Sequence, residues 1–218
     1  MWRLRGLFDD IPVVDVLDVG AALGERPVYQ SLAGAGAARN SGFEPVPAER
    51  DKLRARYGPP HRFYPDFVGD GRPHTFYETR WSLTGSLFGP NQALNATFQA
   101  LAEAAALVRT RTVRTVRLDD VAGPDDVDFV KIDVQGAELM VFENALRVLS
   151  QAVLVQTAVE FVEPYREQPP IADVDRHLCV AGFLFHTFLG FGSRAFKPLL
   201  KKAQKEAGFR QLPWSDAV

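Results

Sequence analysis

The chain has 218 residues, 46% hydrophobic and 24% charged, a balance that suits one globular α/β domain spanning residues 1–218. A formal net charge of −2 offers no electrostatic footprint for nucleic acid or an anionic membrane surface. Cys179 is the only cysteine, which excludes an internal disulfide and a thiolate metal cluster. No apolar run is long enough for a signal peptide or a membrane span, so a cytoplasmic location is expected.

In chain order, PVVDVLDVG (12–20) reads as a first buried parallel strand, followed by a helix over 25–32. RNSGFEP (39–45) is a second, short strand ending at Glu44, and Pro47 opens a helix that runs to about residue 57. HRFYPDFVGDG (61–71) reads as a third strand. Residues 72–118 break the regular alternation: they hold an aromatic and hydroxyl-rich stretch, an Ala-rich helix at 95–108, and the arginine-bearing run RTRTVRTVRL. Arg109, Arg111, Arg114 and Arg117 there either meet an anionic substrate or keep a solvated edge strand from aggregating; the second reading is favoured. DFVKIDVQG is a fourth strand and ELMVFENALRVLS (138–150) its amphipathic helix. A fifth strand covers 152–161, a helix 171–182, and a sixth strand the stretch FLFHTF (183–188). The tail at 201–218 holds a last strand that the end of the chain cuts short. Strands and helices alternating at this spacing predict a mostly parallel sheet with helices on both faces and an irregular, substrate-side excursion between the third and fourth strands.

Ligands of such sheets sit beyond the carboxyl ends of the strands, so those ends carry the candidate site. DVGAALG at the first strand end supplies Asp18, Gly20 and Gly24, a turn that lets backbone approach a ligand closely. Glu44 follows 24 residues after Gly20, placed to accept hydrogen bonds from ribose hydroxyls. A dinucleotide site needs a bare second glycine for the pyrophosphate; Ala22 stands there, and Asp18 precedes the turn. An acid at that point repels a pyrophosphate and suits the ammonium of an amino-acid moiety, which favours S-adenosylmethionine as cofactor.

The pieces DVGAALG, GFEPVPAERDKL, FVGDG, TGSLFGPN, VRLDDV, VDFVKIDVQGAELMVFENA and VEFVEPYREQPPIADVDRHLCVAGF occur in the order found in the FkbM family of S-adenosylmethionine-dependent methyltransferases. The chain resembles that family from about Val13 to Phe188. The resemblance implies a class I methyltransferase (Rossmann-like) fold, with a seven-stranded sheet whose last strand is antiparallel. It also implies methyl transfer, usually to a hydroxyl of a sugar, glycan or natural product. Two positions depart from the family pattern: Ala22 replaces the usual Asn, and Ala158 a frequent acid. A catalytically inactive cofactor-binding module within a larger assembly is the alternative these departures keep open.

In the implied fold, Asp133 and Glu160 lie at neighbouring strand ends, where two carboxylates deprotonate or orient an acceptor hydroxyl, or share a divalent metal. The metal-free form is preferred, because no third oxygen ligand can be named. Lys131 lies two residues before Asp133, hence on the same side of the strand, and is expected to neutralise and hold that carboxylate; a purely architectural pair is the alternative. Asp70, after the third strand, faces the adenine amino group or makes a turn with Gly69 and Gly71. His186 is a reserve base, Cys179 a core residue, Glu138 a helix-start residue, and the loop 162–170, with Tyr165 and Gln168, part of a lid over the acceptor. The acceptor's identity and the oligomeric state stay open at this level.

Overall fold

The computed structural model describes residues 12–23, 27–121, 126–198 and 210–218. Among them the elements run β1 (Val14–Val19), α1 (Gln30–Gly34), β2 (Ala38–Phe43), α2 (Pro47–Tyr57), β3 (Arg62–Tyr64), β4 (Phe67–Val68), β5 (Pro73–Thr79), α3 (Gln92–Asn95), α4 (Leu101–Ala104), β6 (Leu107–Val116), β7 (Phe129–Ile132), α5 (Glu138–Glu143), α6 (Leu146–Leu149), β8 (Leu154–Glu160), α7 (Ile171–Val180), β9 (Phe188–Ala195) and β10 (Arg210–Ala217). Seven strands form one sheet in the order β3-β2-β1-β7-β8-β10-β9. Its pairings are parallel except at β10, which runs antiparallel to both β8 and β9. That order, with its reversed strand inserted next to the edge, is the class I methyltransferase arrangement. Among the described residues no helix is long and apolar enough to cross a membrane.

Side-chain alternation splits this sheet into two chemically different faces. Leu17, Val19, Val130, Ile132 and Val155 point to one side, where Phe142 of α5, Val148 and Leu149 of α6, and Val174 of α7 close a large apolar core. The intervening residues point the other way. There, in-register pairing sets Asp18 beside Lys131 and Lys131 beside Gln156, a polar row on the face away from that core. On that second face Val16, Ala38 and Phe129 pack against Tyr29 lower in the sheet, and the charges lie only above this cluster, toward the carboxyl ends of the strands.

Several expected elements are redrawn by their partners. The third strand splits at Pro65, which has no N–H for the ladder: β3 pairs with β2, whereas β4 joins a separate three-stranded sheet, β4-β6-β5. The Ala-rich helix at 95–108 is two short turns, interrupted at Ala100 with φ 61°, and the chain turns into strand at Leu107. Pairing of the Thr- and Val-containing run along all of β5 outweighs alanine's helix propensity. β4 pairs only with Thr115 and Val116, so among the described residues the arginine-bearing stretch of β6 is bonded to β5 alone, and its mostly exposed residues form the solvated edge favoured from the sequence. The helix expected over 138–150 breaks after Glu143, where Asp119 reaches in to accept hydrogen bonds from the backbone N–H groups of Arg147 (3.0 Å) and Val148 (3.2 Å). The sixth strand begins at Phe188 and not Phe183, because its antiparallel partner β10 ends opposite Phe188. The helix over residues 47–57 forms as expected, with Pro47 in its first turn, Glu49 near its start and Arg54 and Arg56 near its end, matching the helix dipole.

Candidate functional site

A cavity of about 670 Å³ opens over the carboxyl ends of β1, β2, β7 and β8 and continues across the polar face toward β9 and β10. That size falls in the range of small-molecule sites. Its roof comes from the excursion: Phe76, Trp81, Ser86, Asn95 and Leu101 all line it. Of the residues singled out from sequence, Asp18, Gly20, Glu44, Lys131, Asp133 and Glu160 converge on this one space. Gly24 lies outside the described residues.

Asp70 does not line it. Its Oδ1 accepts from the Arg72 N–H (2.9 Å), lies 2.7 Å from His74 Nε2 and accepts from Thr115 Oγ1 (3.3 Å), so the carboxylate is spent on its own turn. Arg109, Arg111, Arg114 and Arg117 are also absent from the walls; Arg109 and Arg111 both engage Glu78, at 2.6 and 2.7 Å. His186 and Cys179 are solvent-exposed, so neither the reserve base nor the core cysteine is found.

At the β1 end, Asp18 is only 3% exposed and both its oxygens are engaged. Lys131 Nζ donates to Oδ1 at 3.2 Å, and the Tyr29 hydroxyl donates to Oδ2, itself accepting from Asn40 Nδ2 at 2.8 Å. Lys131 therefore holds Asp18 across the strand boundary and not Asp133 on its own strand, as the sequence suggested. Burial works against the ammonium, but the Asp18 and then the Asp133 carboxylate outweigh it and keep its pKa above the ordinary lysine value. Burial, followed by the Asp18 charge, raises the Tyr29 phenol out of any working range. Gly20 follows with φ 82°, and a Cβ added there would lie 1.9 Å from the Asp133 carbonyl oxygen. Only glycine lets the first turn lie against the end of β7.

Glu44 closes the β2 end. Its Oε1 accepts from the Val46 N–H at 2.7 Å, while burial pushes its pKa up to about 7. Its second oxygen has no protein donor among the described residues. Two further residues of the cavity wall, Asn95 and Gln156, each bury a side-chain oxygen (Oδ1 and Oε1) without a hydrogen-bond partner among the described residues. An unpaired carboxylate oxygen at Glu44 in a concave wall suits a ligand with hydroxyl donors, such as the ribose of an adenosyl cofactor.

The ends of β7 and β8 hold the densest negative charge. Asp133 Oδ1 accepts from Gln135 Nε2 at 2.8 Å, and Gln135 Oε1 in turn accepts from the Tyr165 hydroxyl at 2.7 Å. Gln135 sits in the left-handed region at φ 59°, its carbonyl bonded by Ser86 Oγ at 2.6 Å. Sequence pattern gave no signal for this residue, because its role comes from a backbone twist and partners 30 and 49 positions away. Glu138 is buried, and its Oε1 accepts from the N–H groups of Val134 (2.9 Å) and Gly136 (3.2 Å), so it ties down the turn and does more than open a helix. Burial raises its pKa to about 7, with a further push from Asp133. Glu160 is 9% exposed; burial first, then the Glu138 and Asp133 charges, drive its carboxyl well above the ordinary range.

The loop at 162–170 is a docked wall. Asn91 N–H donates to Pro164 O (2.8 Å), Asn95 Nδ2 to the same carbonyl (3.0 Å), and Arg166 N–H to Gly89 O (2.8 Å), joining it to the excursion. Tyr165 is 4% exposed and packs over Gly136, where an added Cβ would come within 3.2 Å of its ring. Gln168 braces the Tyr165 backbone, its Oε1 accepting from the Tyr165 N–H at 2.9 Å, and its side chain partly offsets the upward push on the Glu160 carboxyl.

Strand order and a carboxylate-rich cavity at the strand ends define a protein of the class I methyltransferase type. The methyltransferase FkbM domain model matches residues 18–185, so the chain belongs to the FkbM methyltransferase domain family. No curated protein matches it at a significant level. Among solved structures, the crystal structure of magnesium protoporphyrin IX methyltransferase from Synechocystis PCC 6803 with bound SAM aligns over 96% of this chain and 71% of that one, at 14% identity and a TM-score of 0.43.

Proposed function

We propose that the protein transfers a methyl group from S-adenosylmethionine to a hydroxyl of a sugar, a glycan or another hydroxylated small molecule. The observation that carries this reading is Glu160: a buried carboxyl at a strand end, beside a second carboxylate, inside the one cavity on which the candidate residues converge. When bound, the cofactor supplies an electrophilic methyl group on a sulfonium. Glu44 would accept from its ribose hydroxyls, and the Gly20 turn would admit its close approach.

An alcohol is a poor nucleophile at neutral pH and needs a positioned base. Glu160 fits that role, because a carboxylate that binds protons more tightly than usual is a stronger base. Asp133, fixed by Gln135, orients the hydroxyl and keeps proton affinity at Glu160 high. Lys131, through Asp18, holds the floor of the site in place. In this reading Glu160 itself is the base, without a metal.

A radiolabelled methyl-transfer screen against sugars, glycolipid precursors and phenolic alcohols tests the proposal. Wild-type protein should label at least one class, with the label on oxygen and the rate unchanged by EDTA. Label on nitrogen or carbon, or no transfer to any acceptor by a protein that binds the cofactor, would overturn it.

A further inference from the structure

The far end of the cavity contains a charge that the candidate chemistry leaves unused. Arg194, on β9, lines the cavity and is half-buried. Its described contacts are one hydrogen bond, from Nη1 to its neighbour's carbonyl, Ser193 O, at 2.9 Å, and the Trp214 indole, 4.6 Å from the guanidinium carbon. No carboxylate among the described residues pairs with it. Asp216, nearby on β10, instead accepts from Gln156 Nε2 at 2.9 Å and acts on Lys131. Burial lowers the Arg194 pKa, and no neighbouring acid opposes that shift.

The surroundings of this guanidinium are built to hold it. Trp214 lies opposite Gly192 in the β9–β10 ladder, and a Cβ at residue 192 would sit 2.1 Å from the indole. The missing side chain lets the indole lie flat over β9 and offer its face to Arg194, a favourable cation–π stack. On its other side Trp214 is the ladder partner of Glu160. Glu160, Trp214 and Gly192 thus follow one another across β8, β10 and β9; Arg194 lies two residues further along β9, so two strand spacings and one two-residue step set its backbone roughly 12 Å from that of the candidate base.

We propose that Arg194, stacked on Trp214, is an anion subsite for the methyl acceptor, which therefore carries a carboxylate, phosphate or sulfate within roughly 12 Å of the hydroxyl that is methylated. The proposal rests on the methyltransferase reading of the cavity. A guanidinium in a partly desolvated wall binds such groups through paired N–H donors, and its unused donors are the feature a neutral acceptor would leave unmatched. The arginines of β6 do not compete for this role, since Arg109 and Arg111 already hold Glu78 outside the cavity.

Calorimetry on the S-adenosylhomocysteine-loaded protein tests it with matched probes: 4-nitrophenyl glucuronide against the glucoside, and 4-nitrophenyl phosphate and sulfate against 4-nitrophenol. At least one anion should bind about tenfold or more tightly than its neutral partner. Arg194→Gln should erase the preference, Arg194→Lys keep part of it, and Arg111→Gln leave it intact. If Arg194→Gln does not fold, Trp214→Phe, which weakens the stack, should reduce the same preference. Equal binding of every pair, or a preference that survives Arg194→Gln, overturns the subsite. Failure of S-adenosylhomocysteine itself to bind would instead sink the methyltransferase reading; the same titrations without it still decide on Arg194.

Discussion

The two ends of the cavity treat charge in opposite ways. At β1 every formal charge is matched: Asp18 has Lys131 and Tyr29, and Tyr29 has Asn40. At β7, β8 and β9 charge is left unbalanced, with Asp133, Glu138 and Glu160 crowded together and Arg194 held without an acidic partner among the described residues. A matched buried pair is an architectural device, costly to break and inert in chemistry. Unbalanced groups retain proton affinity or anion affinity for a ligand to use. Ionisable residues that look alike in the sequence thus divide into a scaffold end and a working end.

The largest effect should come from breaking the scaffold end. Lys131→Met leaves the Asp18 charge buried and unpaired, at a cost of about 3–5 kcal/mol, and should lower the melting temperature by roughly 10 °C. Adding Asp18→Asn should restore much of that loss, since neither charge then remains. Thermal melts of the single and double variants check this; a double variant no better than the single would show that the pair is not the unit described here. Asp18→Ala alone is accordingly expected to damage the fold as well as cofactor affinity.

At the working end, Glu160→Gln should lower turnover about a hundredfold or more while cofactor affinity, read by calorimetry, stays near wild type. Because the base must be ionised and its pKa is raised, the wild-type rate should fall as pH drops through that raised value, well above the usual carboxylate range. A flat pH profile at full turnover would remove Glu160 from the chemistry.

Glu44 lies between the two regimes. Glu44→Ala should weaken cofactor binding by about tenfold, the scale of charge-assisted hydrogen bonds. Its folded pKa of about 7 lies above the ordinary 4.5, so the folded state holds the proton more tightly. Stability without ligand should therefore decline as pH rises through the window from 4.5 to about 7, and Glu44→Gln should flatten part of that decline in melts across the same range.

The smallest effect is expected at Tyr165→Phe. It removes the hydroxyl bonded to Gln135 Oε1 and leaves the ring packed over Gly136, so it should cost about 1 kcal/mol of stability and a few-fold in turnover, through a looser Asp133. Unchanged turnover would detach the Gln135 relay from the working end.

The sequence by itself determined the sheet and most of the floor of the site. Apolar runs and glycine turns locate β1, β2, β7 and β8, and the strand-end rule brings Asp18, Gly20, Glu44, Asp133 and Glu160 to one cavity, because those signals are local and periodic. Only the tertiary structure decided which charges pair. Lys131 sits two residues from Asp133 yet bonds Asp18, 113 positions away, because side chains on adjacent strands stand closer than those on successive pleats of one strand. For Asp70 the sequence left a ligand and a turn open, and the contacts with Arg72 and His74 favour the turn; among the β6 arginines, Arg109 and Arg111 hold Glu78, in keeping with the solvated reading. Gln135, Asn95 and Arg194 carried no pattern at all: a left-handed backbone, a docked loop and a glycine opposite an indole place them, and each depends on contacts between segments far apart in the chain.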